Sequence, residues 1–185
     1  MKKALDLEYD LIIHYDATSL GFLKRIGFER IIAHPLPVSR KLFYPEDRPK
    51  DFDVCFLGKS TPYREQMLLP LKMRFSMVHV AHGLRDEEAR ILMNRSRLVL
   101  NLHNENYPNF ENRVVQALFC HRPVLSELLT EDLLLPDRDY LKIVSPEDLC
   151  TKVRALLAEG EPVMIPEADL SIFTIDSLFD RLNHA

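Results

Sequence analysis

The sequence predicts an α/β protein, a parallel β-sheet with helices on both of its faces. Between residues 51 and 160, short apolar and β-branched runs alternate with stretches of helical spacing. Each run closes in a polar or glycine-bearing loop. The stretch Arg97 to Glu127, RLVLNLHNENYPNFENRVVQALFCHRPVLSE, shows the pattern best, because its apolar period switches from extended to helical and back again. Such a switch is the mark of a β-α-β unit.

Residues 1–33 offer YDLIIHYD as a strand, SLGFLKRIG as a short helix ending at Gly27, and FERIIAH as a second strand. A βαβ fragment of this size cannot bury a core of its own, so it must lean on the rest of the chain or on another domain. Residues 34–50 carry four prolines and mixed charge and read as a linker, since proline removes ladder donors and biases its neighbours away from helix. The main domain is predicted over 51–165. DFDVCFLGK is a strand ending at Gly58, and Thr61-Pro62 opens a helix through Leu69 with proline at the tolerated first turn. MRFSMVHVA is a strand closed by His82-Gly83. Asp86 to Ser96 is a helix, acidic in its first turn and basic near its end, as the macrodipole favours. RLVLNL follows as a strand, and Asn109 is the expected N-cap of a helix whose stripe is Phe110, Val114, Ala117 and Leu118. RPVLSE is a strand, LLTEDLLLPDRD an irregular helical connection and YLKIV a strand. Ser145-Pro146-Glu147-Asp148 caps a helix running to about Glu159. Residues 166–185 close the chain with an amphipathic helix, Ile175, Leu178, Phe179 and Leu182 forming its apolar stripe.

Bulk properties narrow the function classes. A formal charge of −4 gives no support to nucleic-acid binding or to attachment at an anionic membrane surface. No apolar run reaches membrane-spanning length, and the first ten residues carry acidic side chains where a secretion signal needs apolar ones, so the expected location is the cytoplasm. Cys55, Cys120 and Cys150 form no C-x-x-C pair and read as buried reduced thiols. Met67, Met73, Met77 and Met93 read as core fillers.

In an open parallel sheet, ligands bind beyond the carboxyl ends of the strands. Three loops are predicted there: GKSTPYR, AHGLRDE and HNENYPNFENR. Gly58 allows close backbone approach to a ligand, and Lys59 and Arg64 beside it are suited to phosphate oxygens. His82 lies in the second loop. Asn109 and the helix start behind it offer free N–H groups that suit a diphosphate. Asn112, Arg113 and Gln116 share one polar helix face. Arg113 opposes the local dipole, which calls for a carboxylate partner, Glu111 or Glu105, or for a bound anion. His103 directly follows a strand and is placed either to hydrogen-bond a sugar or phosphate or to serve as a structural histidine. His79 and His82 have no third ligand to complete a metal site. The glycine spacing fits neither a Walker A loop nor G-x-G-x-x-G.

The order of a proline-rich HPLPVSRKLFYP segment, DVCFLGK, and NRSRLVLNLHNENYPNFENRVVQALFCHRPVLSE resembles the C-terminal, nucleotide-sugar-binding half of glycosyltransferases of the two-Rossmann (GT-B) architecture. It is most similar to the group 1 and spore-maturation, CgeB-like branches, over about residues 34–160. The resemblance implies a Rossmann-like donor domain, with residues 1–33 as the end of an N-terminal acceptor domain and the last helix crossing back to it. It places Asn109 to Arg113 against the donor diphosphate, with Gly58 and Lys59 opposite. The family glutamate that contacts the donor ribose falls on Gln116, and the family glycine before the last strand falls on His121. The implied reaction moves a glycosyl unit from a nucleoside diphosphate to an acceptor hydroxyl in polysaccharide or glycoconjugate synthesis. The nucleotide-diphosphate sugar is the donor substrate, and no metal is obligatory. Lys59, Arg64, Arg113 and the helix dipole would stabilise the leaving group. The expected partner is an N-terminal domain or a second copy in a homodimer. The alternative is a non-catalytic, degenerate transferase domain acting as partner subunit or scaffold. A hydrolase ranks last, because no G-x-S-x-G elbow is present.

Overall fold

The computed structural model describes residues 9–105, 110–130, 133–160 and 166–184. In chain order the elements are β1 (Ile12–His14), α1 (Leu20–Arg25), β2 (Ile31–Ala33), β3 (Phe52–Leu57), α2 (Pro62–Lys72), β4 (Met77–Val80), α3 (Asp86–Asn94), β5 (Ser96–Asn101), α4 (Asn112–Phe119), β6 (Val124–Ser126), β7 (Leu141–Lys142), α5 (Pro146–Ala158) and α6 (Ile175–Asn183). They fall into two compact units, Val38–Asp169 and a smaller one combining Met1–Pro37 with Leu170–Ala185.

In the smaller unit β1 and β2 pair in parallel around α1. The C-terminal helix joins them: Arg181 Nη1 donates to the Ala33 carbonyl at 2.8 Å, and His34 Nε2 lies 3.4 Å from Ser177 Oγ. Of the predicted stripe on α6, Leu178 and Leu182 are half-buried, while Ile175 and Phe179 remain exposed.

The larger unit is a five-stranded, wholly parallel sheet in the order β4-β3-β5-β6-β7. Parallel neighbours require crossover connections, and helices α2, α3 and α4 supply three of them here. The alternation along each strand decides which helices go where. Val54 and Phe56 on β3, Leu98 and Leu100 on β5, and Leu125 on β6 share one core with Leu68 and Leu71 of α2 and Leu149 and Val153 of α5. The intervening residues, Cys55 and Val99, are equally buried on the opposite face, where α3 and α4 pack together. Both faces are therefore covered, as the near-continuous apolar strands predicted. The chain steps from β3 out to β4, then crosses back to β5 on the other side, so its direction of growth reverses between β3 and β5. In an open parallel sheet the carboxyl ends at such a reversal point are where ligands bind.

Most helix starts follow the sequence expectation. Thr61 Oγ1 accepts the Arg64 N–H at 3.3 Å, and Ser145 Oγ accepts the Asp148 N–H at 3.2 Å, each followed by proline in the first turn. Four expectations are corrected. α2 runs on through Pro70 to Lys72, because burying Leu71 completely in the core offsets the hydrogen bond that proline removes. α4 starts at Asn112 with Glu111 as its N-cap, not Asn109, which lies outside the described residues. Met73 sits just past the end of α2 and is 79% exposed, whereas Met67 and Met93 are buried and Met77 packs at the core margin. The stretch Leu128–Asp139 forms no helix among its described residues; its turns are organised by Asp139 instead.

The Asp139 carboxylate is fully buried and accepts from Leu135 N–H at 2.8 Å, Ala168 N–H at 2.9 Å, and Arg138 at 2.7 and 3.0 Å. Burial alone would push its pKa up, but the hydrogen bonds from Arg138, Leu135 and Ala168 outweigh it and hold the carboxyl below its ordinary value. A carboxyl lowered in the folded state contributes stability that is full above the unfolded pKa and is lost as pH falls through the folded one. Asp139→Asn is expected to lower stability by about 2–3 kcal/mol at neutral pH. The deficit relative to the parent should shrink in acid below the ordinary aspartate range, as read by urea titrations at several pH values.

The proline-rich segment packs against the larger unit from Val38 onward. Val38 and Phe43 are buried, and Asn94 at the end of α3 straps the backbone down. Its amide donates to Tyr44 O at 3.0 Å and accepts from Glu46 N at 2.8 Å, while Arg90 stacks over the Tyr44 ring and pairs with Glu46. All three cysteines are free and buried, and burial pushes the Cys55 and Cys120 thiols up to about 12, which keeps them protonated and inert. Among the described residues no helix is long and apolar enough to cross a membrane.

Candidate functional site

At the carboxyl ends of β3 and β5 lies Phe56, a buried strand residue whose ring is flanked by two guanidinium groups. Arg64 lies 5.3 Å and Arg113 5.4 Å from the ring centroid. Gly58 follows β3, and the reason for glycine there is close approach. A Cβ at this position would stand 2.7 Å from Arg113 Nη1, 3.1 Å from Phe56 Cζ and 3.4 Å from Arg64 Nη1. His79 on β4 donates from Nε2 to the Gly58 carbonyl at 2.8 Å, fixing that peptide from the other side.

The two arginines have different tasks. Arg64, on the first turn of α2, is only 4% exposed and spends its fork on backbone carbonyls. Nε reaches Leu102 O at 3.1 Å and His103 O at 3.0 Å, Nη2 reaches Leu102 O at 2.8 Å, and Nη1 reaches Lys59 O at 3.0 Å. Burial first, and the neighbouring Arg113 second, lower its pKa, while Glu111 at 3.6 Å opposes the shift. Arg64 thus ties the loop after β3 to the loop after β5, and its nitrogens are committed before any ligand arrives.

Arg113, on the first turn of α4, is 10% exposed. Its Nη2 pairs with Glu111 at 2.7 Å, while its Nη1 is buried and has no hydrogen-bond partner among the described residues. The dipole conflict at this helix start is therefore met on one nitrogen by Glu111 and left open on the other. Glu111 serves as N-cap by position, yet its side chain makes no cap hydrogen bond, because the carboxylate is turned onto the two guanidiniums.

His103 lies two residues beyond β5. Its backbone N–H donates to Glu127 Oε2 at 2.6 Å, its carbonyl accepts from Arg64, and its ring Nε2 donates to Leu128 O at 2.8 Å. Tyr63 donates its hydroxyl to Glu127 as well, and burial together with that carboxylate pushes the phenol up to about 12. Thr61 Oγ1 donates to Asn104 O at 3.1 Å. The loops after β3, β5 and β6 are laced into one edge.

Of the residues predicted for the site, Gly58, Lys59, Arg64, His103 and Arg113 are brought together. Lys59 contributes its carbonyl to Arg64 while its side chain is exposed. Asn112 and Gln116 are half-buried on α4. His82 stands exposed after β4, beside Gly83 with its left-handed φ of 89°, and makes no hydrogen bond to the cluster among the described residues. Asn109 lies outside the described residues. Phe56, Tyr63 and Glu127 are participants that sequence reasoning missed. Phe56 and Tyr63 carry no signal apart from their positions beside Gly58 and Arg64, whereas Glu127 closes a strand at the same edge and was legible as a candidate on that ground. His121 has φ 53°, a left-handed backbone at the end of α4 that favours glycine. Among the described residues no three His, Cys, Asp or Glu side chains gather as a metal site.

A glycosyl transferase-like family model matches residues 40–163, more than half of the chain. No curated protein sequence matches it. Among solved structures, Anabaena HepE in complex with UDP and glucose aligns with a TM-score of 0.72 at 12% identity, over 99% of this chain and 65% of that one. Sucrose-phosphate synthase from Thermosynechococcus elongatus aligns at 0.64 and 14%, over 99% and 59%. S. aureus TarM aligns at 0.61 and 11%, over 96% and 44%. At such identities the likeness is one of fold, and the chain spans less than two thirds of the length of each of these proteins. The reversal point in the parallel sheet, the match over residues 40–163 and these folds agree: the chain belongs to the glycosyl transferase-like family and has the architecture of the C-terminal half of a GT-B glycosyltransferase.

Proposed function

We propose that this chain binds a nucleotide-diphosphate sugar at the edge formed by Gly58, His103 and Arg113, and serves transfer of the glycosyl unit to an acceptor hydroxyl. One observation carries the reading: Arg113 keeps a buried, unpartnered Nη1 against the glycine that ends β3. A buried donor without an acceptor is costly, and a phosphate oxygen supplies what is missing with a charge-assisted bond. Lys59, exposed in the same loop, adds a mobile positive charge, and the N-terminus of α4 adds its dipole. As the glycosidic bond breaks, charge develops on the departing diphosphate, and these groups are placed to stabilise it. HepE and TarM were solved with UDP, which makes uridine nucleotides the first probes. On this reading Val38–Asp169 is the donor-binding unit, and the smaller unit is where an acceptor-binding domain or a partner attaches. The product would be a polysaccharide or glycoconjugate.

Calorimetric titration of the folded protein with UDP and UDP-glucose tests the proposal, and absence of heat with both overturns it. Gly58→Ala sharpens it. The added methyl meets chiefly the far end of the Arg113 side chain, which can move, so the midpoint of thermal unfolding should change little. Affinity for UDP should nevertheless fall about tenfold, since Arg113 is displaced from the place where a phosphate would meet it.

A further inference from the structure

Resting on the donor-binding reading above, we infer that His103 is a specificity-determining residue: its Nδ1 is a fixed hydrogen-bond acceptor for a hydroxyl of the donor, in the ribose or in the glycosyl unit. Every other polar atom of this residue is already held. The backbone N–H is taken by Glu127 at 2.6 Å, the carbonyl by Arg64 at 3.0 Å, and ring Nε2 by the Leu128 carbonyl at 2.8 Å. A carbonyl accepts only, so Nε2 must carry a hydrogen, and in the neutral imidazole Nδ1 then carries the bare lone pair. That atom is buried and has no partner among the described residues, on a residue only 3% exposed. A structural histidine in a polar loop has no reason to leave one nitrogen orphaned while three other anchors hold it rigid.

The chemistry of the two orphaned atoms at this edge is complementary. Arg113 Nη1 is a cationic donor and suits a phosphate oxygen; His103 Nδ1 is a neutral acceptor and suits an O–H. A phosphate offers Nδ1 only lone pairs, so His103 contributes nothing to binding of a bare diphosphate. A nucleotide sugar presents both kinds of group along one molecule. Glu127 and Leu128 hold His103 in this orientation and are positioning residues.

The test compares the parent, His103→Phe and His103→Gln as ligands are varied. Inorganic diphosphate carries no alcohol hydroxyl, UDP carries the ribose hydroxyls, and UDP-glucose adds those of the sugar. His103→Phe is expected to leave diphosphate affinity unchanged and to weaken UDP-glucose about tenfold. An equal loss with UDP assigns the hydroxyl to the ribose, and a loss confined to UDP-glucose assigns it to the glycosyl unit. His103→Gln, which keeps an acceptor, should recover part of the loss. Deoxy analogues on the parent protein give a readout independent of folding: removing the recognised hydroxyl should cost the same factor there and nothing further in His103→Phe. Equal weakening of diphosphate and UDP-glucose, or no weakening of either, overturns the assignment while leaving nucleotide binding intact. Failure of the parent to bind any of the three overturns the donor-binding reading and this inference with it.

Discussion

Arg64→Met is expected to be the most destabilising single substitution at the carboxyl edge, costing about 3–5 kcal/mol when each buried carbonyl left without a donor costs about 1–3 kcal/mol. The side chain is 4% exposed, and its guanidinium satisfies carbonyls of Lys59, Leu102 and His103, which belong to two loops far apart in sequence. Methionine fits the volume and still packs on Phe56, but it leaves those buried oxygens without donors, and each lost bond carries a desolvation cost. The carboxylate of Glu111 would keep Arg113 as a partner, so the loss is one of backbone satisfaction rather than of an unpaired charge. Arg64→Lys should recover only part of it, because an ammonium cannot span the fork geometry. A urea midpoint unchanged from the parent would show that these carbonyls find water or relax, and that Arg64 is no strut.

Arg113→Met is expected to do the converse, removing binding while sparing the fold. Among the described residues Arg113 makes one ion pair, with the quarter-exposed Glu111, and its buried Nη1 has no hydrogen-bond partner. Its loss therefore leaves no carbonyl stranded, and Glu111 stays within 3.6 Å of Arg64. The thermal midpoint should hold within a few degrees. A charge-assisted bond to phosphate is worth about 1.5–3 kcal/mol, so UDP affinity should fall between roughly 10- and 150-fold. Arg113→Lys should keep the charge and recover part of the affinity. Loss of stability comparable to that of Arg64→Met, with unchanged UDP binding, would reverse the two roles. The pair of substitutions is informative because the two side chains lie over one aromatic ring and differ mainly in what their nitrogens already hold.

The sequence by itself determined the order of elements, the parallel α/β class and the edge where the loops gather. These follow from periodicity, which is a property of consecutive residues: the switch within RLVLNL to NRVVQALF places strand, loop and helix whatever lies elsewhere. The proline after Thr61 and after Ser145 fixed two helix starts for the same local reason. Gly58 and Arg113 were legible as site candidates through an unusual placement, one at a strand end and the other against a dipole. What the tertiary structure alone decided is which cation is free. Arg64 and Arg113 read alike in sequence, and they differ because the carbonyls of Leu102 and His103 point at Arg64 and none points at Arg113 Nη1. Every residue carries the same carbonyl, so no sequence pattern records where one is aimed. At the start of α4 the N-cap position falls on Glu111 instead of Asn109, and its carboxylate is turned to two arginines and makes no cap hydrogen bond. Periodicity sets which elements exist, and long-range hydrogen bonding sets which of their polar atoms are left for a ligand.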